Sequence, residues 1–214
     1  MENGLRTRII FIRHGEAENN RLHIIGADMN LTEKGIKEVV KMEKRLKTVY
    51  FDAIYSSDLH RTVHTAKIFA QTRKLGIIIK KELRERFYGR FEGKKISEYQ
   101  HDMKHIITQM KTLTDAELFT FRRYDGFETD KEVILRCRKF MRQVTESFTG
   151  KTVLAVTHGL FMRIVLINAG FATYAELPPF SIKNTSSITV TTNGDMYTIQ
   201  NTYGIRKHIH HSSV

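Results

Sequence analysis

Histidine, arginine and glutamate recur in four short polar motifs of this 214-residue chain. A neutral imidazole is a nucleophile near pH 7, arginine binds anionic oxygens with a rigid fork of donors, and a carboxyl group can protonate a leaving group. Such groups together suit phosphoryl transfer, and they need no metal ion if arginine and imidazole supply the positive charge. In chain order the motifs are Arg13-His14-Gly15-Glu16, Ser56-Ser57-Asp58-Leu59-His60-Arg61, Leu83-Arg84-Glu85-Arg86 and Thr157-His158-Gly159.

Each motif follows a short apolar segment that has the pattern of a β-strand: 8–13, 53–55, 76–80 and 152–156. Ligands of open α/β sheets bind beyond the carboxyl ends of the strands, so we expect the four loops to converge on one site. Any one motif alone has a simpler explanation, such as a hydrogen-bonded loop histidine or a solvated arginine. The prediction therefore depends on all four motifs occurring in order.

The intervening segments predict helices that alternate with these strands. Helical patterns cover 32–47, 59–71, 129–147 and 160–169, and a hairpin is expected where 187–192 and 196–201 flank Asn193-Gly194. Alternation of this kind predicts an α/β fold, with a mostly parallel sheet and helices on both faces. Residues 94–125 are charged, with apolar residues at roughly helical spacing, and are expected to form a helical insertion.

Composition limits the class of protein. Hydrophobic residues make up 41% and charged residues 27%, the profile of a globular protein, and no apolar run is long enough to span a membrane. We expect one domain over 1–205 and a basic tail over 206–214. Cys137 is the only cysteine, so no intrachain disulfide is possible, which fits a reducing cytoplasm. No signal peptide is expected at the N-terminus.

The formal net charge of +12 has three interpretations. It can be a solvated lysine-rich surface, a nucleic-acid-binding surface, or a field that attracts small phosphorylated anions. No nucleic-acid-binding motif accompanies the charge, which is spread along the chain. Charge alone does not choose among the three interpretations. From the four motifs we expect a small phosphorylated substrate as the partner, with no nucleic acid and no membrane. The sequence leaves the oligomeric state open, a homodimer included.

The four motifs resemble those of the histidine phosphatase superfamily, also called the phosphoglycerate-mutase-like family. The resemblance rests on 11–16, 55–66, 83–93 and 156–159, and it extends over about residues 8–201. It implies a Rossmann-like three-layer α/β/α sandwich with a helical insertion over the active site. It also implies catalysis with no cofactor and no metal.

The resemblance further implies a role for each matching residue. His14 would be the nucleophile that becomes phosphohistidine, and Glu85 would be the general acid and then the general base. Phosphoryl oxygens would be bound by Arg13, Arg61, His158, Asn20 and the backbone N–H of Gly159.

Phosphatases and mutases of this superfamily differ in features that the sequence shows. Mutases are typically longer, and a Thr-Gly-Trp usually follows the first motif, where this chain has Ile25-Gly26-Ala27. Tyr88 matches a mutase-like position, and Arg122 and Arg123 could bind a carboxylate, so all three are predicted to bind substrate. The sequence favours a phosphomonoester hydrolase that acts on small phosphorylated metabolites. It does not identify one metabolite, and a broad substrate specificity is compatible with it. The alternatives are a cofactor-dependent phosphoglycerate mutase and a non-catalytic phospholigand-binding module.

Overall fold

The structure is a computed structural model and describes residues 6–208 of the chain. Its centre is one six-stranded sheet in which four strands run parallel and a hairpin adds two antiparallel strands. The strands are β1 (Thr7–Arg13), β2 (Ala53–Ser56), β3 (Ile77–Ile79), β4 (Thr152–Thr157), β5 (Ser187–Thr192) and β6 (Tyr197–Tyr203). Their order in the sheet is β3-β2-β4-β1-β5-β6, so the predicted mostly parallel sheet is confirmed.

The two central parallel strands are buried on both faces. In β1 the run from Ile9 to Ile12 is at most 4% exposed, and in β4 the run from Val153 to Val156 is fully buried. Continuous apolar sequence in these strands follows from helices that cover both sides of the sheet. β1 lies between β4 on one side, in parallel, and β5 on the other, antiparallel.

Helices form a layer on each face of the sheet, which confirms the three-layer architecture. The helices are α1 (Glu18–Arg21), α2 (Glu33–Arg45), α3 (His60–Arg73), α4 (Ile96–Asp102), α5 (Lys104–Met110), α6 (Asp115–Thr120), α7 (Asp130–Phe148) and α8 (Gly159–Asn168). One core lies beneath α2 and α3, where Val39 and Phe69 pack on Ile54. The other lies beneath α7 and α8, where Phe140 and Phe161 pack against Phe11.

The predicted insertion contains the three short helices α4, α5 and α6. A small separate core joins the insertion to the rest of the domain. In it, Tyr99 and Met103 pack with Ile25, from the loop after α1, and with Phe91, which precedes α4. α5 has no fully buried side chain. The insertion is therefore attached through this small core and through Phe119 of α6, which packs against the core beneath α7 and α8.

The last described residues pack back on the domain. The backbone N–H of His208 donates to the carbonyl of Glu176, and the Lys207 ammonium lies 4.7 Å from the ring centroid of Phe171. The rest of the predicted basic tail, 209–214, lies outside the described residues. Within 6–208, no helix combines the length and the apolar character needed to cross a bilayer.

Candidate active site

His14 follows β1 directly and is only 2% exposed. Its Nδ1 donates to the carbonyl of Gly15 at 2.7 Å, which leaves a lone pair on Nε2. Burial, followed by the charges of Arg61 and Arg13, holds the pKa of His14 well below its ordinary value. The imidazole is therefore neutral near pH 7, and Nε2 carries the lone pair that a nucleophile requires.

Gly15 lets the loop after β1 run against α2. A Cβ at this position would lie 2.5 Å from the carbonyl oxygen of Gly35 and 2.7 Å from Val39 Cγ2. Gly35 in turn lies close to Glu16. A Cβ on Gly35 would lie 2.0 Å from the carbonyl oxygen of Glu16. The backbone contact between these two glycines thus fixes the position of the residue after His14.

Arg61, in the first turn of α3, connects the two histidines. Its Nε donates to His14 Nε2 at 3.2 Å, and its Nη2 lies 3.3 Å from His158 Nδ1. Since a guanidinium can only donate, the His158 proton is on Nε2, which lies 3.1 Å from Ser57 Oγ. Burial, then the Arg61 charge, lowers the pKa of His158 well below its usual range. Arg61 also donates from Nη1 to the carbonyl of Ala27 at 3.0 Å.

Arg13 presents a buried donor that has no acceptor within the described chain. Its Nη1 donates to the carbonyl of Ile182, and its Nε is out of contact with solvent and without a hydrogen-bond partner in 6–208. Burial lowers the pKa of Arg13, while the charge of Glu85 opposes that shift. A buried, unpaired guanidinium donor is costly unless a ligand anion accepts from it.

Gly159 begins α8 next to Arg13. A Cβ there would lie 3.2 Å from Arg13 Nε, so the glycine makes room for the guanidinium. No acceptor for the Gly159 N–H is found among residues 6–208. Because helix N-termini favour anions, this N–H can bind a phosphoryl oxygen together with Arg13.

Glu85 follows β3 after a 3-10 turn, Lys81–Leu83. Its Oε2 accepts from the N–H of Leu160 at 3.0 Å and its Oε1 from that of Phe161 at 2.9 Å. The carboxylate is therefore anchored at the N-terminus of α8, beside Gly159. From α7, Arg136 Nη1 donates to the carbonyls of Glu82 and Arg84 and holds the loop that carries Glu85.

Asn184 was not predicted from the sequence, and the structure places it against two residues of the site. Its Nδ2 donates to the carbonyl of His14 at 3.0 Å and to Asn20 Oδ1 at 3.3 Å. Asn20 Oδ1 also accepts from the N–H of Ala17, so the Nδ2 of Asn20 is the group left to contact a ligand. The segment around Asn184 has no helical or strand periodicity, and sequence patterns therefore contain no signal for this residue.

Several of these residues line one cavity of about 900 Å³ beneath the insertion. The lining includes Arg13, His14, Asn20, Arg61, Glu85 and Gly159, whereas His158 and Asn184 are not part of it. His158 is fully buried beside Arg61, so its predicted contact with phosphoryl oxygens has no support in its placement. Tyr88 and Arg123 also line the cavity. Burial raises the pKa of the Tyr88 hydroxyl.

The structure does not bring Arg122 into the cavity. Its guanidinium donates to the carbonyl of Phe127 at 2.6 Å and to Glu132 Oε1 at 2.7 Å, and its side chain is 45% exposed. Arg122 and Arg123 follow α6, and their side chains point in different directions. Only Arg123 lines the cavity. The predicted carboxylate-binding role of Arg122 therefore has no support in its placement.

Comparisons with known proteins identify the family and the fold. The family model of the histidine phosphatase superfamily (branch 1) matches residues 9–203. Phosphoserine phosphatase 1 of Hydrogenobacter thermophilus is 26% identical over 73% of this chain and 72% of its own. A 2,3-bisphosphoglycerate-dependent phosphoglycerate mutase of Treponema denticola is 28% identical over 74% and 76%. The crystal structure of a Bacillus anthracis phosphoglycerate mutase superposes with a TM-score of 0.79, at 23% identity and 95% coverage of both chains.

Proposed function

This chain belongs to the histidine phosphatase superfamily, and we propose that it hydrolyses small phosphomonoesters through a phosphohistidine intermediate, without a metal ion. One observation carries the proposal. The lone pair of His14 Nε2 accepts from Arg61 Nε, and Arg13, whose Nε has no partner in 6–208, lines the same cavity. A phosphoryl group bound there would meet both a nucleophile and compensating charge.

In the first step, His14 Nε2 attacks phosphorus while the bond to the leaving oxygen breaks. Protonated Glu85 gives its proton to that oxygen, so an alcohol departs and the carboxylate remains. Donors from Arg13, Arg61 and the Gly159 N–H stabilise the charge on the equatorial oxygens. The hydrogen bond from His14 Nδ1 to the Gly15 carbonyl stabilises the positive charge that the imidazole gains.

In the second step, water attacks phosphorus and the P–N bond breaks. Glu85 accepts the water proton, and His14 returns to its neutral form as inorganic phosphate is released. Each residue thus ends the cycle in its starting protonation state, with no external acid or base consumed.

The size of the cavity favours hydrolysis over the mutase alternative. A mutase has to keep water away from phosphohistidine, whereas a volume of about 900 Å³ holds a small phosphorylated acid together with many water molecules of about 30 Å³ each. Relatives of both names match the chain, and this space supports the proposal of hydrolysis. The complete set of His14, Glu85 and the arginines favours an enzyme over a binding module.

The test is a phosphate-release assay in the presence of a chelator, on a panel of phosphomonoesters that includes phosphoserine. We expect His14→Ala to abolish release and His101→Ala to leave it unchanged, because His101 is exposed and lies outside the cavity. Mass spectrometry at neutral pH should find the phosphorylated intermediate on His14. Isomerisation of 3-phosphoglycerate without phosphate release would identify a mutase instead, and full activity of His14→Ala would reject the nucleophile.

A further inference from the structure

The insertion contributes an apolar wall to the cavity that the proposed chemistry does not use. Six apolar side chains from α4, α5, α6 and the residues next to them line it, and all six are half-buried. They are Ile96, Ile107, Met110, Leu113, Leu118 and Phe121. Their common feature is that protein atoms cover one side of each, while the other side faces the cavity.

Part of this wall belongs both to the small core and to the cavity. Tyr99 and Met103 are buried in the small core, Ile107 packs against that core, and Phe119 of α6 packs against the core beneath α7 and α8. Tyr99, Ile107 and Leu118 also line the cavity. A contiguous apolar wall that faces water is stabilised when a ligand with apolar surface covers it.

Three arginines line the cavity away from His14, and each contacts a protein group. Arg86 forms a buried ion pair with Asp130, although its Nε has no hydrogen-bond partner among residues 6–208. Arg163 donates to the carbonyls of Leu177 and Tyr174, and Arg123 Nη1 donates to the hydroxyl of Tyr99. The surface left for the body of a substrate is therefore mainly apolar, with the Arg123 guanidinium stacked 4.7 Å from the Phe127 ring centroid.

We propose that the substrates are phosphomonoesters with an apolar body, alkyl or aryl, that lies against the wall formed by the insertion. This inference rests on the proposed function and adds the substrate class. The phosphoryl group binds at Arg13 and Arg61, and the body extends beneath α5 and α6. A volume of about 900 Å³ accommodates a body considerably larger than a three-carbon acid.

A series of n-alkyl phosphates from ethyl to hexyl tests the inference, because the leaving groups have nearly equal basicity and differ in apolar surface. We expect kcat/KM to rise by up to about fourfold for each methylene group. Hexyl phosphate should exceed phosphoserine and 3-phosphoglycerate. A flat series, or a preference for either small acid, would overturn the inference.

Two variants test whether the apolar wall causes the increase in kcat/KM with chain length. Leu118→Asn should reduce the increase per methylene, whereas Leu135→Asn, on the exposed side of α7 and outside the cavity, should retain it. Equal slopes in the two variants would show that the wall does not contact the substrate.

Binding of n-alkylphosphonates, measured by calorimetry on wild type and His14→Ala, separates this inference from the proposed function. Affinity that rises with chain length while no ester is hydrolysed would retain the apolar site and reject the phosphatase. Hydrolysis with affinity independent of chain length would retain the phosphatase and reject the apolar site.

Discussion

Arg61 donates from Nε to Nε2 of His14, so the guanidinium covers the lone pair that would attack phosphorus. In the proposed mechanism a phosphoryl oxygen would have to replace His14 as the acceptor before the reaction can begin. The same side chain would then stabilise the charge that develops on that oxygen. The first contact of the substrate would thus release the proposed nucleophile.

The exchange predicts that Arg61→Lys is not a conservative change. A lysine ammonium lacks the fixed fork that reaches His14 and His158 together, so we expect kcat/KM to fall by about 100-fold. Steady-state kinetics and the inhibition constant of vanadate measure the effect. The matched control is Arg84→Lys, because Arg84 pairs with Asp58 at the surface. Similar losses in the two variants would contradict a special role for Arg61.

Two buried neutral histidines make stability depend on pH. Burial and the neighbouring arginines place the folded-state pKa of His14 and of His158 below the unfolded value of about 6.5. The unfolded chain therefore binds more protons as the pH falls below about 6.5, and the free energy of unfolding decreases down to the folded-state pKa. The slope is at most about 1.4 kcal/mol per pH unit for each histidine.

Urea unfolding between about pH 7.5 and about pH 5.5 measures this slope. His14→Gln should reduce it, and His101→Gln should leave it unchanged because His101 is exposed. The activity of wild type should also persist below the ordinary imidazole pKa, since His14 stays neutral there. A slope that is the same in wild type and His14→Gln would argue against the depressed pKa.

Glu85→Gln should separate leaving groups by their need for a proton. The amide retains an acceptor for an α8 N–H but has no proton to give to an alkoxide. We expect hydrolysis of an alkyl phosphate to slow by about 100-fold or more and that of nitrophenyl phosphate to change little. Glu82→Gln, on the same loop but paired with Lys139, is the control. Equal losses for both substrates would remove Glu85 from the general-acid role.

We predict that Asn184 positions both His14, the proposed nucleophile, and the side-chain amide of Asn20. Asn184→Ala removes both hydrogen bonds, and kcat/KM should fall by roughly tenfold, the effect of about one buried hydrogen bond. In a double-mutant cycle with Asn20→Ala, the two losses should be less than additive. The exposed neighbour Lys183→Ala should behave as wild type, and fully additive losses would mean that the two amides act independently.

Sequence patterns predicted those helices and strands in which the spacing of apolar residues matches the face that is buried. The predicted helix at 129–147 closely matches α7, Asp130–Phe148, because Thr129 caps it and its apolar stripe packs on the sheet. Likewise, the four motifs lie near strand ends, where parallel strands bring them together. The role of Asn184 could not be predicted, since it depends on a contact across 170 residues within an irregular segment.

Sequence patterns also could not predict that the side chains of Arg122 and Arg123 point in different directions. Both are charged, adjacent and at the end of a short helix, and only the packing of Phe127 and the position of Glu132 direct one outward. Side-chain direction after a helix terminus is decided by tertiary contacts, and these have no local signature.

The central position of β1 has a consequence for the synthesis of the chain. β1 leaves the ribosome before its partners β4 and β5, which begin at Thr152 and Ser187. At about 5–20 residues per second, roughly 9 to 35 s pass before synthesis reaches the last partner. During that interval the apolar strand β1 and His14 remain on an incomplete sheet. Chains arrested before Ser187 should therefore bind chaperones and lack activity, and folding should complete only after the hairpin emerges.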